Sequence, residues 1–212
     1  MDTTQSMKLH LAIAALMLVL VVGGCAMTPK AERYAAAPLG STFTWTQANT
    51  GSFGSGTTQN TTKIDERMWE GKRVTAFVGR QGILLCTAEG TWPAILGADG
   101  KPIISWDPPI GYDWPLEVGK TWTKSYRITN HLRNQTTPFD STSKIEAYED
   151  VTVPAGTFKV FKVRSSSMLG ESVMWFSSEF GLFVKQNQKR SANSPLGPGT
   201  SEEELVSYTI AK

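Results

Sequence analysis

The sequence predicts a mainly β protein, built as a curved antiparallel sheet in the form of a half-barrel or an open barrel. Short runs rich in Thr, Val, Trp and Phe alternate with Gly, Pro, Asn and Ser throughout residues 40–212, which is typical of strands joined by turns. Turn signals between apolar runs indicate hairpins. Because no stretch of this region keeps a helical period, we expect it to form a single β domain.

The first predicted strand is the stretch STFTWTQ, in which Phe43 and Trp45 alternate with threonines. This period of two places both rings on one face of a half-buried antiparallel strand. The stretches TWTKSYRIT and LVSYTIA follow the same pattern later in the chain. They therefore predict two further strands, each with one aromatic face.

Two hairpins are indicated by their turn residues. ADGK at 98–101 separates the apolar runs TWPAIL and PIISW, and Asp-Gly between such runs is a strong hairpin signal. SSEFG, which ends at Gly181, separates SVMWF from LFVKQ in the same way. Two pairs of stretches also resemble each other at offsets of about 80 residues: PLGSTFTWT with PLEVGKTWT, and GKRVTAFV with GTFKVFKV. A fold of two similar halves is therefore an open alternative.

The N-terminal residues have the pattern of an export signal. The run from Leu11 to Gly24 is uncharged and almost wholly apolar, and its length of ~14 residues suits a signal peptide better than the ~20 of a membrane span. Lys8 and His10 supply the polar, basic start that such a signal needs. We therefore assign residues 1–24 to a signal peptide.

The stretch VVGGC, which ends this run at Cys25, resembles a bacterial lipobox. The resemblance implies cleavage before Cys25 and acylation of its thiol with palmitate-like chains, two or more of which hold a protein stably at a membrane. Ala26, where an Asp would retain the protein in the inner membrane, implies the periplasmic face of the outer membrane. The alternative is an ordinary signal peptide that is followed by a cysteine by chance. We interpret residues 25–39 as the lipidated N-terminus and a linker.

Cys86 is the only other cysteine of the chain outside the signal, and it lies in the apolar run GILLCTA. With Cys25 acylated, it has no partner for an intrachain disulfide. We expect it to be a small buried apolar residue rather than a reactive thiol.

The stretch YEDVTVPAGTFKVFKVRSSS, followed by MWFSSEFGLFVKQ and a closing ELVSYTI, resembles a recurrent module of bacterial envelope proteins. The resemblance implies a strongly curved antiparallel sheet, similar to the half-barrels of periplasmic lipoprotein carriers, and it implies no activity. Independently of the resemblance, VPAG predicts a turn after Val153. Phe161 and Val163 have the opposite parity from Phe158 and Val160, so this strand is covered on both faces or has a bulge near Phe161.

Charge and histidine content argue against several classes of function. The 21 basic and 19 acidic residues are balanced, and the acidic run at 202–204 offsets nearby lysines, so we expect a solvated surface there and no nucleic-acid partner. His131 is the single histidine outside the signal and lies in a polar run. We therefore expect no metal site, no cofactor and no catalytic residues, and we interpret the protein as a non-enzyme.

Four aromatic residues are the candidate ligand contacts: Trp106, Tyr112, Trp114 and Trp122. They surround two adjacent prolines in a segment too rich in large rings for a plain solvent loop. The rings either bind a ligand at the mouth of the curved sheet or form a hydrophobic plug. Both alternatives bury the tryptophans.

The sequence as a whole predicts a membrane-anchored periplasmic lipoprotein that acts as a non-catalytic binding module for an apolar or lipid-like ligand. A structural lipoprotein that docks onto an envelope protein complex is the alternative, and a hydrolase that uses His131 is a third. A continuous apolar cavity larger than ~300 Å³ favours the binding module, whereas a filled interior favours docking.

Overall fold

A computed structural model describes residues 29–80 and 82–212, so the predicted signal peptide and Cys25 lie outside the described residues. Within these ranges, no helix combines the length and the apolar composition that crossing a membrane requires. The strands are β1 (Lys30–Ala31), β2 (Thr42–Gly51), β3 (Gly56–Trp69), β4 (Lys72–Gly79), β5 (Gly82–Cys86), β6 (Thr91–Leu96), β7 (Pro102–Gly111), β8 (Leu116–Glu117), β9 (Thr121–Asn130), β10 (Gln135–Val153), β11 (Gly156–Ser167), β12 (Gly170–Ser177), β13 (Leu182–Arg190) and β14 (Gly199–Thr209).

Twelve strands of the described chain form one closed antiparallel barrel. Each barrel strand pairs with the next barrel strand along the chain, and β14 returns to pair with β2 from Gly199↔Gly51 to Thr209↔Thr42. The remaining strands, β1 and β8, form a separate two-stranded ribbon. The mainly β prediction is confirmed, but the barrel is closed, because the β14–β2 ladder leaves no free sheet edge. The arrangement in two similar halves stays a prediction.

Both predicted hairpins are present. The Asp-Gly turn joins β6 to β7, with a hydrogen bond from Gly100 N to Gly97 O at 3.0 Å and a φ of 79° at Gly100. The turn between β12 and β13 ends at Gly181, whose φ is 67°. Each glycine adopts the left-handed conformation that other residues rarely tolerate.

The strand with mixed parity, β11, contributes to the core from two successive residues. Val160 and Phe161 are both buried, at 0% and 1% exposure. The register shift that accompanies this lies in the partner strand β10, between Ile145 and Ala147. The alternative of a strand covered on both faces therefore describes β11 at this point, whereas the bulge lies at Glu146 of β10 and not in β11.

The described residues have four apolar core clusters, and two of them contain residues that line the cavity described below. Phe43 and Trp45 share one buried face of β2, as predicted. The first cluster includes Phe43, Trp45, Ile64, Val160, Phe180, Leu182, Val184 and Leu205. The second includes Tyr34, Cys86, Tyr112, Leu116, Trp122, Ile145, Phe161, Val163 and Phe176.

Residues 30–39, which we name the N-terminal strap, pack against the barrel. β1 pairs with β8, and Ala37 N donates a hydrogen bond to Phe180 O at 3.1 Å. The ring of Tyr34 is 9% exposed and lies against Gly90, where an added β-carbon would come within 2.6 Å of Tyr34 Cγ. This part of the predicted linker is therefore a packed element rather than a free tether.

Candidate ligand-binding cavity

A partly enclosed cavity of about 360 Å³ lies inside the barrel. Its walls are inward-facing side chains; for example, Phe77, Leu84 and Ile95 stand opposite one another on β4, β5 and β6. Large apolar side chains make up most of the lining: Trp45, Phe77, Leu84, Trp92, Ile95, Tyr112, Phe176, Leu182 and Phe183. The cavity is thus a partly enclosed, mainly apolar space between strands from both halves of the chain.

Polar side chains line the part of the cavity formed by β13, β14, β2 and β3. Gln186, Glu203 and Gln47 are register partners across three adjacent strands, so they form one row on the inner face. Asn60 and Thr62 of β3 add two polar side chains to this wall, where they are the register partners of Trp45 and Phe43. The cavity therefore has one polar wall and is otherwise apolar.

The carboxyl group of Glu203 is the centre of this polar wall. Gln47 Nε2 donates a hydrogen bond to Glu203 Oε2 at 2.8 Å, and Ser201 Oγ donates one to Glu203 Oε1 at 3.3 Å. Burial raises the pKa of Glu203, and these two hydrogen bonds only partly oppose that effect. The protonated, uncharged form of Glu203 is therefore favoured over a wider pH range than for an exposed glutamate.

Two further polar atoms of lining residues are buried without a hydrogen-bond partner among residues 29–80 and 82–212. They are the indole Nε1 of Trp45, which is a donor, and the amide Oε1 of Gln47, which is an acceptor. A buried polar group without a partner costs about 1–3 kcal/mol. The polar wall thus has one unused donor and one unused acceptor two residues apart on β2.

Three of the four predicted aromatic ligand contacts form one cluster. Tyr112 lies 4.9 Å from Phe176 and 6.4 Å from Trp114 between ring centroids, and Trp122 packs in the same cluster. Of these residues, Tyr112 lines the cavity, whereas Trp114 and Trp122 do not. These two tryptophans therefore pack in the same cluster as the lining residues Tyr112 and Phe176 without lining the cavity themselves.

Trp106 is not part of that cluster. It belongs to β7, opposite Ile128, and lines a separate depression of about 200 Å³ together with Phe139 and Leu169. The ring-rich segment is thus a strand up to Gly111, and the register between β6 and β7 shifts between Trp92 and Ala94.

The loop after β7 is held in place by an ion-pair cluster. Asp113 lies 2.9 Å from Lys120 Nζ and 3.2 Å from Lys124 Nζ. The hydrogen bond from Lys120 is the main reason that the pKa of Asp113 is lowered. This cluster thus links Asp113, which follows the cavity residue Tyr112, to Lys120 and to Lys124 of β9.

The sequence reading missed several lining residues, and Glu203 is the most informative of them. The acidic run 202–204 was expected on a solvated surface, yet only Glu202 is exposed; Glu204 pairs with Lys185 at 2.6 Å. Glu203 faces inward because it shares parity with the buried residues Ser201 and Leu205. That alternation is the sequence signal that could have identified it.

Cys86 and His131 have the environments expected from the sequence. Cys86 is 0% exposed, and burial raises the pKa of its thiol to about 12. His131 is exposed, and its Nε2 lies 2.8 Å from Ser105 Oγ. Within the described ranges, no carboxylate lies at ion-pair distance from His131, and it does not line the cavity.

Comparison with known proteins identifies solved structures that align with this chain, but it identifies no family. No family model matches the chain, and no curated protein sequence matches it. A protein of Bacteroides fragilis described as exported and YmcC-like in fold shares 14% identity over 84% of this chain and 99% of its own, with a TM-score of 0.46.

Two further solved structures show the same degree of likeness. One, described as a lipoprotein, is from Parabacteroides distasonis, with 12% identity over 84% of this chain and 99% of its own and a TM-score of 0.45. The other is the hypothetical lipoprotein YmcC of Escherichia coli, with 12% identity over 82% of this chain and 86% of its own and a TM-score of 0.45. The functional proposal therefore depends on the cavity and not on these structures.

Proposed function

We propose that this protein is a lipid-anchored lipoprotein of the bacterial envelope whose barrel is a non-catalytic binding module for an apolar or lipid-like ligand. The observation that carries the proposal is the cavity of about 360 Å³ inside the barrel. Ligand pockets commonly measure about 300–1,000 Å³, with a mainly apolar lining and few polar groups. Both features apply to this cavity.

The apolar lining gives a physical reason for an occupant. Side chains such as Phe77, Leu84 and Ile95 line the cavity and are only partly covered by other protein atoms. Atoms that face empty space lose dispersion contacts, and an apolar ligand restores these contacts without breaking hydrogen bonds. An acyl chain or a similar apolar group meets this requirement.

The proposed anchor is Cys25, which lies outside the described residues. Its position after VVGGC supports acylation, and Ala26 supports the periplasmic face of the outer membrane. The membrane is then the partner reached through the N-terminal acyl chains. It is also the nearest source of an apolar ligand.

A pair of tryptophan substitutions tests the binding function. Leu84→Trp adds ring volume inside the cavity, whereas Leu132→Trp adds the same ring at a position that is 77% exposed. Mass spectrometry of protein purified from membranes is expected to find an apolar molecule with the wild type and Leu132→Trp, and at least ~10-fold less with Leu84→Trp, a loss of ~1.4 kcal/mol or more. Equal retention by all three proteins, or none by the wild type, contradicts the proposal.

The anchor is tested separately. Mass spectrometry of the same material reads the modification at Cys25 directly, and Cys25→Ser is expected to leave the membrane fraction. An unmodified thiol in the membrane-bound protein contradicts the anchor without affecting the cavity.

A further inference from the structure

We infer that the depression lined by Trp106 is a second binding site, for a short apolar carboxylate whose charge is held by Arg190. We name it the Arg190 depression; Trp106, Phe139, Leu169 and Arg190 are among its lining residues. It shares no described lining residue with the cavity, so the inference goes beyond the proposed function. Three features support it: a guanidinium group at the depression, the lack of a counter-ion for that group, and an apolar wall.

The side chain of Arg190 faces the inside of the barrel at the end of β13. It has the same parity as Gln186, which lines the cavity, and Gln188, which lines the Arg190 depression. Its Cζ atom lies 3.6 Å from the ring centroid of Phe53, another lining residue of the depression. At this distance the ring covers one face of the guanidinium group and leaves the N–H donors in the plane of that group uncovered.

Arg190 has few partners for its charge and its donors. Among the residues that the structure describes, its side chain makes one hydrogen bond, from Nη1 to Ser52 Oγ at 3.3 Å, and no ion pair. A guanidinium group has five N–H donors, so most of them stay available to an anion. Four other arginines, by contrast, each form an ion pair with a carboxylate: Arg67, Arg73, Arg127 and Arg164.

The charge of the depression matches a single carboxylate. Burial lowers the pKa of Arg190 to about 10, so its guanidinium group is still charged at pH 7. The other charged lining residues, Lys189 and Glu171, are exposed register partners, and their opposite charges offset each other. One positive charge therefore remains, which suits a carboxylate better than a phosphate group with about −1.5 to −2 charges.

The opposite part of the lining is apolar. Trp106 of β7 and Ile128 of β9 are register partners, and Phe139 lies on the next strand, β10. These three side chains pack in one cluster with Leu169, and all four line the depression. A carboxylate with an apolar group attached to it can therefore bury that group here, where each CH₂ removed from water contributes about 0.8 kcal/mol.

Small residues separate the apolar wall from Arg190. Arg190 pairs with Gly170, Gly170 pairs with Ser167, and Ser167 pairs with Ser141, which is two residues from Phe139 on β10. Gly170, Ser167 and Ser141 all line the depression. Because these residues have little or no side chain, they leave space between the charged group and the rings.

The volume of the depression sets the size of a suitable probe. About 200 Å³ corresponds to about seven waters at ~30 Å³ each, and therefore to a ligand of about seven non-hydrogen atoms, such as pentanoate. Pentanamide and pentylamine carry the same chain on an uncharged and a cationic head group. Inorganic phosphate is an anion without a chain, so the four probes separate charge from apolar contact.

Isothermal titration calorimetry at pH 7 tests the inference on the full-length protein, purified from membranes and placed in nanodiscs of zwitterionic lipid, with empty nanodiscs as the blank. Pentanoate is expected to bind at least ~10-fold more tightly than each of the other probes, a difference of ~1.4 kcal/mol or more. No binding of pentanoate, or binding of any other probe as tight as that of pentanoate, overturns the inference.

A matched pair of variants tests the role of Arg190. Arg190→Gln is expected to weaken pentanoate at least ~10-fold, because it removes a charge-assisted hydrogen bond. Arg73→Gln removes the same charge at an exposed residue that does not line the depression, and it is expected to leave the affinity unchanged. Equal effects of the two variants overturn the inference. Urea denaturation checks that both variants fold, and the comparison of probes on the wild type needs neither variant.

A third variant separates this site from the cavity. Leu84→Trp adds a ring inside the cavity and not in the Arg190 depression, so it is expected to bind pentanoate as tightly as the wild type. Loss of pentanoate binding in Leu84→Trp would mean that the probe occupies the cavity, which overturns the inference and leaves the proposed function intact. Conversely, pentanoate binding that depends on Arg190 in a protein without an apolar molecule in its cavity contradicts the proposed function alone.

Discussion

Substitution of Gly90 by alanine tests whether the N-terminal strap is a packed part of the barrel. Gly90 has a φ of 74°, and its N donates to Thr87 O at 3.0 Å in a tight turn. Gly100 is a matched control, with a φ of 79° and the same hydrogen bond, at 3.0 Å, to Gly97 O. The two glycines differ in their surroundings: a β-carbon on Gly90 would lie 2.6 Å from Tyr34 Cγ, whereas nothing lies within 4 Å of one on Gly100.

The magnitude follows from this difference. Left-handed backbone costs an alanine about 1–2 kcal/mol at either position. Gly90→Ala must in addition displace the ring of Tyr34, which is only 9% exposed. Loss of a buried aromatic side chain costs about 3–5 kcal/mol. We therefore expect Gly90→Ala to lower the free energy of unfolding by about 3 kcal/mol more than Gly100→Ala.

Urea denaturation followed by tryptophan fluorescence measures both variants. Adding Tyr34→Ala completes the test, because contacting residues give non-additive effects. In that background, Gly90→Ala is expected to cost no more than Gly100→Ala does. Equal losses for the two glycine variants in the wild-type background, or additive losses for Gly90 and Tyr34, would refute the packing of the strap.

Two further predictions concern titratable groups. Because burial raises the pKa of Cys86 to about 12, its thiol is expected to resist a disulfide reagent at pH 8 in the folded protein and to react fully in urea; rapid reaction without urea would contradict its burial. The pKa of Glu203 is higher in the folded protein than in the unfolded chain, where it is about 4.3. Protonation of Glu203 therefore contributes its full stabilisation of the fold below pH ~4.3, and this contribution is lost as the pH rises through the pKa of the folded protein. Urea titrations are therefore expected to show that Glu203→Gln becomes more stable relative to the wild type as the pH is raised from 4 to 8. If the difference in free energy of unfolding between the two proteins is the same at both pH values, the carboxyl group of Glu203 is not buried.

The sequence predicts individual strands better than it predicts their closure. Alternation at Phe43 and Trp45 shows which side chains share a face, because the side-chain period of a strand is two residues. It does not show which strand lies alongside. The ladder that closes the barrel joins Thr42 to Thr209, and no local pattern specifies a partner that distant.

The candidate site is predictable only in part, for the same reason. Tyr112 was identified from its aromatic neighbourhood and does line the cavity, whereas Trp106 lies in another depression because β7 carries it away from that wall. Glu203 was obscured by its acidic neighbours, although its parity indicates an inward position. The ring of Tyr34 packs where Gly90 and Gly181 leave space for it. Both glycines are distant from Tyr34 in sequence, and no local sequence pattern relates them to it.

The strap also determines how far the barrel can move from a membrane. If Cys25 carries acyl chains, only residues 26–29 separate it from β1, which begins at Lys30. The five Cα-to-Cα steps from Cys25 to Lys30 span at most ~18 Å when fully extended, which is less than the ~30 Å thickness of the hydrocarbon core. Such a protein stays beside the lipid headgroups instead of sampling the width of the periplasm, so exchange of a ligand between bilayer and barrel would occur over a nanometre or two.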